Sequence, residues 1–516
     1  MSAIITDQLR ILNAKEFVAS VASTSSSYYT FVGLPNATQI SSTWDISPPD
    51  PRDNFDEENN YWDTIIALKK VSSSDIKQVI RKITWQSGIT YDMYRHDIKA
   101  ENPSKPSNAI SLYDANYYVV NIDYKVYICL QNGSNPENPS GRSSLDEPTF
   151  TDLEPRAAGK SGDGYIWKYL YTIKPSDIVK FDSTNFMPVP LNWETSTDNA
   201  AVRINASSGG QLKIITITNR GVGLGTANRT YTRVPIKGDG TGAEATVVIN
   251  SNSKVESVNI SSGGSGYTFG TLDLASGNVP TGSTSPVFNI IIPPQGGHGA
   301  DIYRELGARN TLIYSRIEND TENPDFITGN QISRIGIVQN PKAHDSTQNL
   351  DLDKASAVYA LKLTGAGYSS ATFTADSFIT QTIGIGSTAI GSVVSYDQVT
   401  GVLKYWQDRT TSGFNTNGTQ NISPIYGFQL NKFTANPTNG SISILGGSST
   451  LSIQTSFTGL STLINNRTYY LGQSFDQGVA QPEVEKYSGN IIYVDNRPSI
   501  TRSNSQKEDI KVILQF

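Results

Sequence analysis

A mainly β, multidomain chain with a few short helices is the fold class this sequence predicts: a β-sheet scaffold carrying inserted sandwich-like or barrel-like β-domains. Three observations predict it. Charged residues make up 17% of the chain, against about 25% in ordinary soluble domains. Apolar residues come in short runs rich in Val, Ile, Tyr and Thr, separated by Gly, Ser and Asn turns, the pattern of strands and tight connections. A length of 516 residues exceeds what one hydrophobic core covers and implies roughly two to four domains.

Taken in order, residues 7–21 follow a Thr6/Asp7 cap and carry Leu9, Leu12, Phe17 and Val21 on an approximate helical face, so a short helix packed on the first sheet is expected. Tyr28 to Gly33 reads as a strand, and Ser47-Pro48-Pro49-Asp50-Pro51 as a rigid extended break. Two more helices are expected, at 59–69 and at 74–83, the second with Ile76, Val79, Ile80 and Ile83 on one face. Strands follow at 117–120 and 126–130. A polar loop, 131–162, then leads through Gly162-Asp163-Gly164 into an aromatic strand at 165–173.

In that strand Tyr165, Trp167, Tyr169 and Tyr171 alternate, which places them on one face. Such a stripe suits a core face, a subunit interface or a sugar-stacking platform. The first two fit best, because Tyr and Trp supply large contact areas in both.

Residues 1–204 thus form an N-terminal scaffold of helices and sheet. Residues 205–298 turn to Gly, Ser, Thr and β-branched residues and contain an echo about 43 residues apart, in which Ile215 to Gly223 matches Val258 to Gly266. A weaker copy lies at Leu361 to Tyr368. Two copies and a fragment are too few for a solenoid, so the segment reads as an inserted β-domain. Residues 299–353 return to the scaffold through Gln331 to Pro341. Residues 354–478 form a second inserted β-domain with strands near 392–396 and 402–406, and 479–516 supply C-terminal scaffold strands.

The chemistry expected is spare. A net charge of −6 without a run of Lys and Arg argues against nucleic acid as a partner. No apolar run approaches the 18 residues of a membrane helix, and no basic region precedes the first isoleucines, so neither membrane insertion nor a signal peptide is expected and synthesis in a cytoplasm is. The single cysteine, Cys129, sits in an apolar strand and reads as a small buried hydrophobe, which excludes an intrachain disulfide. His96, His298 and His344 are isolated, with none of the spacings that bring two metal ligands to one face. Acid clusters at 50–53 and 56–58 could in principle form a glycosidase carboxylate pair, but acidic runs beside prolines are ordinarily solvated loops. Gly238 to Gly242 lacks the Lys of a phosphate-binding loop and reads as a turn. No catalytic residue, cofactor or metal is expected.

The scaffold pieces resemble the baseplate wedge subunit encoded by gene eight of T4-like contractile-tailed phages. The resemblance is carried by Val79 to Trp85, Val126 to Leu130, Gly162 to Ile173, Ile332 to Pro341 and Gly489 to Phe516, in the family's order and over about half of the chain. It implies a structural virion protein of the tail baseplate, assembled in the host cytoplasm, that forms a homodimer and joins other wedge proteins. It brings no catalytic or cofactor residue, and the two insertions have no counterpart in it. The candidate interface or scaffold-core residues are Tyr165, Trp167, Tyr169 and Tyr171, with Tyr493, Asn496, Arg497 and Pro498 near the C-terminus. A competing reading, suggested by the Gly/Ser/Thr/Asn-rich insertions, is a receptor-binding or glycan-cleaving tail fibre or spike. The absence of long repeats counts against it.

Overall fold

In the computed structural model the described residues are 3–35, 44–208, 210–318, 331–384, 387–407, 441–444, 450–501, 503 and 506–516. Parts of the second expected insertion, 408–440 and 445–449, therefore lie outside them. The described residues are mainly β, with five α-helices and twenty-seven strands. The helices are α1 (Asp7–Ala22), α2 (Phe55–Thr64), α3 (Pro175–Phe181), α4 (Ala200–Asn205) and α5 (Ile302–Leu306). The strands begin with β1 (Tyr28–Gly33), β2 (Ile65–Lys70), β3 (Ile76–Arg81), β4 (Tyr118–Val120), β5 (Lys125–Asn132), β6 (Tyr165–Thr172) and β7 (Phe186–Pro188). Then come β8 (Ile215–Asn219), β9 (Arg229–Gly238), β10 (Thr241–Ile249), β11 (Val255–Ser265), β12 (Gly270–Leu272), β13 (Val287–Ile290), β14 (Asn310–Glu318) and β15 (Gln331–Gln339). The C-terminal part holds β16 (Lys354–Ser356), β17 (Tyr359–Thr364), β18 (Phe378–Gly384), β19 (Ser387–Asp397), β20 (Val402–Trp406), β21 (Ser441–Ile444), β22 (Thr450–Ile453), β23 (Gly459–Ile464), β24 (Arg467–Phe475), β25 (Val479–Ala480), β26 (Asn490–Thr501) and β27 (Lys507–Gln515).

The chain divides into two compact units, one of Met1–Val18, Lys77–Leu312 and Ile513–Phe516 and the other of Ala19–Ile76 and Ile313–Val512. The first unit holds the three-stranded antiparallel sheet β4-β5-β6 and the β3–β7 ladder. Its scaffold core is dense in aromatics, with Tyr117, Tyr118, Tyr127, Trp167, Tyr171 and Trp193 all buried. From the same unit the chain leaves through β8 and comes back through β13, which pair with each other, and between them lies the sheet β11-β10-β9-β12. Every buried member of the core beneath that sheet comes from 212–292. The Asp239-Gly240 connection makes the β9–β10 turn. The Asp239 carboxylate accepts from Thr268 N at 2.9 Å and is held down at about 2, mainly by its bond from the Thr268 hydroxyl.

In the second unit β16-β2-β1-β15-β26 form a five-stranded antiparallel sheet over Tyr29, Phe31, Trp62, Leu68 and Val338. The segment from Gln331 to Gln339 forms β15, which pairs between β1 and β26. The sheet of β17 to β22 with β25 has its own core, drawn from 361–453, with a smaller cluster reaching Ala480. The strands expected near 392–396 and 402–406 are β19 and β20.

Three expectations need correction. Residues 76–81 are strand, not helix. Ser72 and Asp75 cap a single 3-10 turn, after which Ile76, Val79 and Ile80 are buried in β3, a pattern that a helix face and a strand buried on both sides share. The helix expected at 59–69 begins at Phe55, capped by Asn54 and with Asp56, Glu57 and Glu58 in its first turn, where the helix dipole favours acids. It ends at Thr64, because Ile65 to Lys70 pair with β1. Helix α1 has the expected extent, but its buried residues are Ile11, Ala14 and Val21, while Leu9 and Leu12 are exposed.

Candidate functional site

The aromatic strand of the first unit is a core element on three of its four rings. Tyr165, Trp167 and Tyr171 are fully buried, which removes them from any sugar platform or subunit interface. Tyr165 and Trp167 stack at 5.4 Å with Tyr91 edge-on to both. The Tyr165 hydroxyl donates to Arg142 O at 2.7 Å and accepts from Tyr91 N at 2.9 Å. Tyr171 donates to Pro188 O at 3.2 Å and meets Trp193 edge-on. Burial pushes the hydroxyls of all these tyrosines upward.

The single-faced stripe does not survive, because the ladder is irregular. Tyr127 faces Tyr169 and Val126 faces Tyr171, so Leu170 is an extra residue on β6, and a bulge re-aims the side chains around it. Tyr169 is half-buried, bonded to the Thr172 hydroxyl at 2.8 Å, and lines a hollow of about 280 Å³ with Lys77, Asp177, Lys174 and Asp198. Sequence reasoning passed over Lys168, which is fully buried. Its Nζ donates to Leu153 O and to Asn205 Oδ1, both at 2.7 Å, and burial pulls it down to about 8. A lysine flanked by aromatics inside a strand was the only local signal.

The C-terminal candidates belong to the second unit and sit on β26, at the end of the five-stranded sheet. Asn496 faces Arg334 across the β15–β26 ladder, and Tyr493 faces Ile337. Arg334 is buried, with its guanidinium 4.6 Å from the Tyr61 ring and 5.8 Å from the Trp44 ring. It donates from Nη1 to Thr64 Oγ1 at 2.5 Å and from Nε to Asn496 Oδ1 at 2.9 Å. Asn496 Nδ2 continues to Pro49 O at 2.9 Å, and Trp44 Nε1 donates to Arg497 O at 3.0 Å. Burial lowers Arg334 to about 10. Asn496 thus ties the sheet internally. Arg497 and Pro498 are exposed, and the Arg497 guanidinium donates from Nε to Asp495 at 2.6 Å. Pro498, which lacks an N–H, fits an edge strand.

The histidines stay apart. His96 Nδ1 accepts from Ile292 N, His298 pairs with buried Glu305 at 2.6 Å, and His344 pairs with Glu485 at 3.0 Å. Glu305 also accepts from Gly299 N at 2.7 Å, so its carboxylate is engaged on both oxygens. Among the described residues no group of three or more His, Cys, Asp or Glu side chains is placed to hold a metal ion, and no helix is long and apolar enough to cross a membrane. Cys129 is buried in β5 with its thiol toward Gln131 O, and burial pushes the thiol well up.

No protein-family model and no curated protein matches the sequence.

Proposed function

We propose that this chain is a structural subunit of a contractile-tail baseplate wedge, located in the virion tail, that acts by dimerising and by docking other wedge proteins during assembly and contraction. One observation carries the reading. All five scaffold pieces that resemble the wedge subunit contribute strand to the two units, as β3, β5, β6, β15 and β26–β27, while residues 212–292 and 361–453, outside the resemblance, supply cores of their own. A β-scaffold carrying independent additions is what an assembly protein with decorations needs. Its action is non-enzymatic: subunits move as bodies and exchange interfaces. Exposed Arg497 and Pro498, with Ile492 and Ile500 exposed on the same edge strand, are the residues of the candidate set best able to meet a neighbour.

Light scattering on the purified full-length chain tests the reading. A mass of twice 56.0 kDa, together with co-purification of other wedge proteins from its own virus, supports it. A trimer that binds none of them sinks it and favours a fibre or spike.

A further inference from the structure

We propose that a cavity in the first unit, between the scaffold loops 93–106 and 132–139 and the β8–β13 ribbon, is a binding site for a carboxylate-bearing saccharide. The cavity holds about 470 Å³, within the roughly 300–1,000 Å³ of small-molecule sites.

Its walls are clamped on two sides. Asp97 accepts from Arg95 Nε and Asn102 Nδ2 on the scaffold, both at 2.9 Å, and from Asn289 Nδ2 on β13 at 3.5 Å. At the other scaffold loop, Arg220 forks Glu137 with Nε–Oε1 at 2.8 Å and Nη2–Oε2 at 3.1 Å. Held walls reduce the ordering cost of binding.

The lining sets the ligand class. It contains two cations, Arg95 and Lys105, and no carboxylate. Arg95 spends Nε on Asp97, which leaves Nη1 and Nη2 without a hydrogen-bond partner among the described residues. That planar pair matches a carboxylate. Asn135 spends its carbonyl oxygen on Glu137 N and Asn138 N and keeps its amide N–H groups for a ligand, whereas Asn102 spends its N–H on Asp97 and keeps its carbonyl oxygen. A free donor and a free acceptor suit hydroxyls, which both give and accept. Phe288 and Met93 add apolar wall for a sugar face. An inorganic anion could accept from the Asn135 amide but would leave the Asn102 carbonyl oxygen and the apolar wall unused.

The test is calorimetric titration of the full-length chain with a hexuronate tetrasaccharide, its methyl ester and a Glu-containing tetrapeptide. The acid sugar binds saturably and the ester at least tenfold more weakly. Lys105→Glu, at an exposed position, weakens the acid sugar several-fold with unchanged melting, and Asn135→Trp, which fills the cavity, abolishes binding. No saturable binding, equal binding of acid and ester, or tighter binding of the peptide overturns the proposal. Assembly is judged separately: a monomer that binds the saccharide retains this site and loses the wedge reading.

Discussion

Arg334 on β15 donates from Nε to Asn496 on β26 across 2.9 Å, joining the candidate C-terminal motif to a guanidinium buried between Trp44 and Tyr61. Removing one member of such a buried pair costs more than the pair contributes, because the partner keeps its desolvation. Asn496→Ala removes the acceptor of Nε and is expected to lower stability by about 1–3 kcal/mol. Arg334→Lys, which keeps the charge but loses the planar fork, is expected to destabilise comparably. Urea denaturation of both single variants and the double variant checks this; simple additivity of the two losses would show that the residues do not act as a pair.

Gly336 packs where no Cβ fits. A methyl there would lie 2.2 Å from Phe31 Cζ and 2.5 Å from Tyr493 O. Gly336→Ala is expected to lose about 1–3 kcal/mol through overpacking, and wild-type stability in the same denaturation assay would contradict the packing described.

Stability should rise and then fall in alkali. Lys168 has a folded value lowered to about 8 from 10.5, so between those values the unfolded chain binds more protons than the folded one and stability climbs with pH. Lys404, also lowered by burial to about 8 from 10.5, acts in the same direction, so Lys168→Met removes part of that climb and leaves the Lys404 share. Tyr113 and Tyr303, raised by burial to about 12 from 10.0, have the opposite sign. Their contribution is intact below 10 and is lost as pH rises from 10 toward 12. Melting temperatures from pH 7 to 11 resolve the two trends.

Cys129 is buried, and its raised thiol carries little thiolate. A thiol-specific reagent at pH 8 should leave the native chain unlabelled over hours and label one site per chain on denaturation. Rapid native labelling would mean that β5 opens readily.

The fold class was legible because short β-branched and aromatic runs bounded by glycine survive into strands, as in β5 and β6. The misreadings share a cause. Ile76, Val79 and Ile80 satisfy helical spacing and an equally apolar buried strand, and only pairing partners far along the chain decide between them. In α1 the buried face runs through Ala14, which carries too little apolar signal to outweigh Leu9 and Leu12. The 43-residue echo is real as sequence, but its halves occupy different sheets, β8 beside β13 and β11 beside β10. Of the candidate site, the aromatic run and the Asn496 segment were visible locally. Trp44, Tyr61, Thr64 and Arg334 were not, since no spacing rule connects residues separated by 270 positions.

In both units the excursion leaves and rejoins through neighbouring antiparallel strands. Ile215 lies opposite Ile290, and Ala360 lies opposite Ala480, so each pair of junction residues is only about 5 Å apart. Whatever lies between them, a tight turn or some hundred residues, presents the same two endpoints to what came before and after. Each junction is thus closed by its own strand pairing, and what ties an addition to the rest of its unit includes specific side-chain bonds such as Arg220 to Glu137.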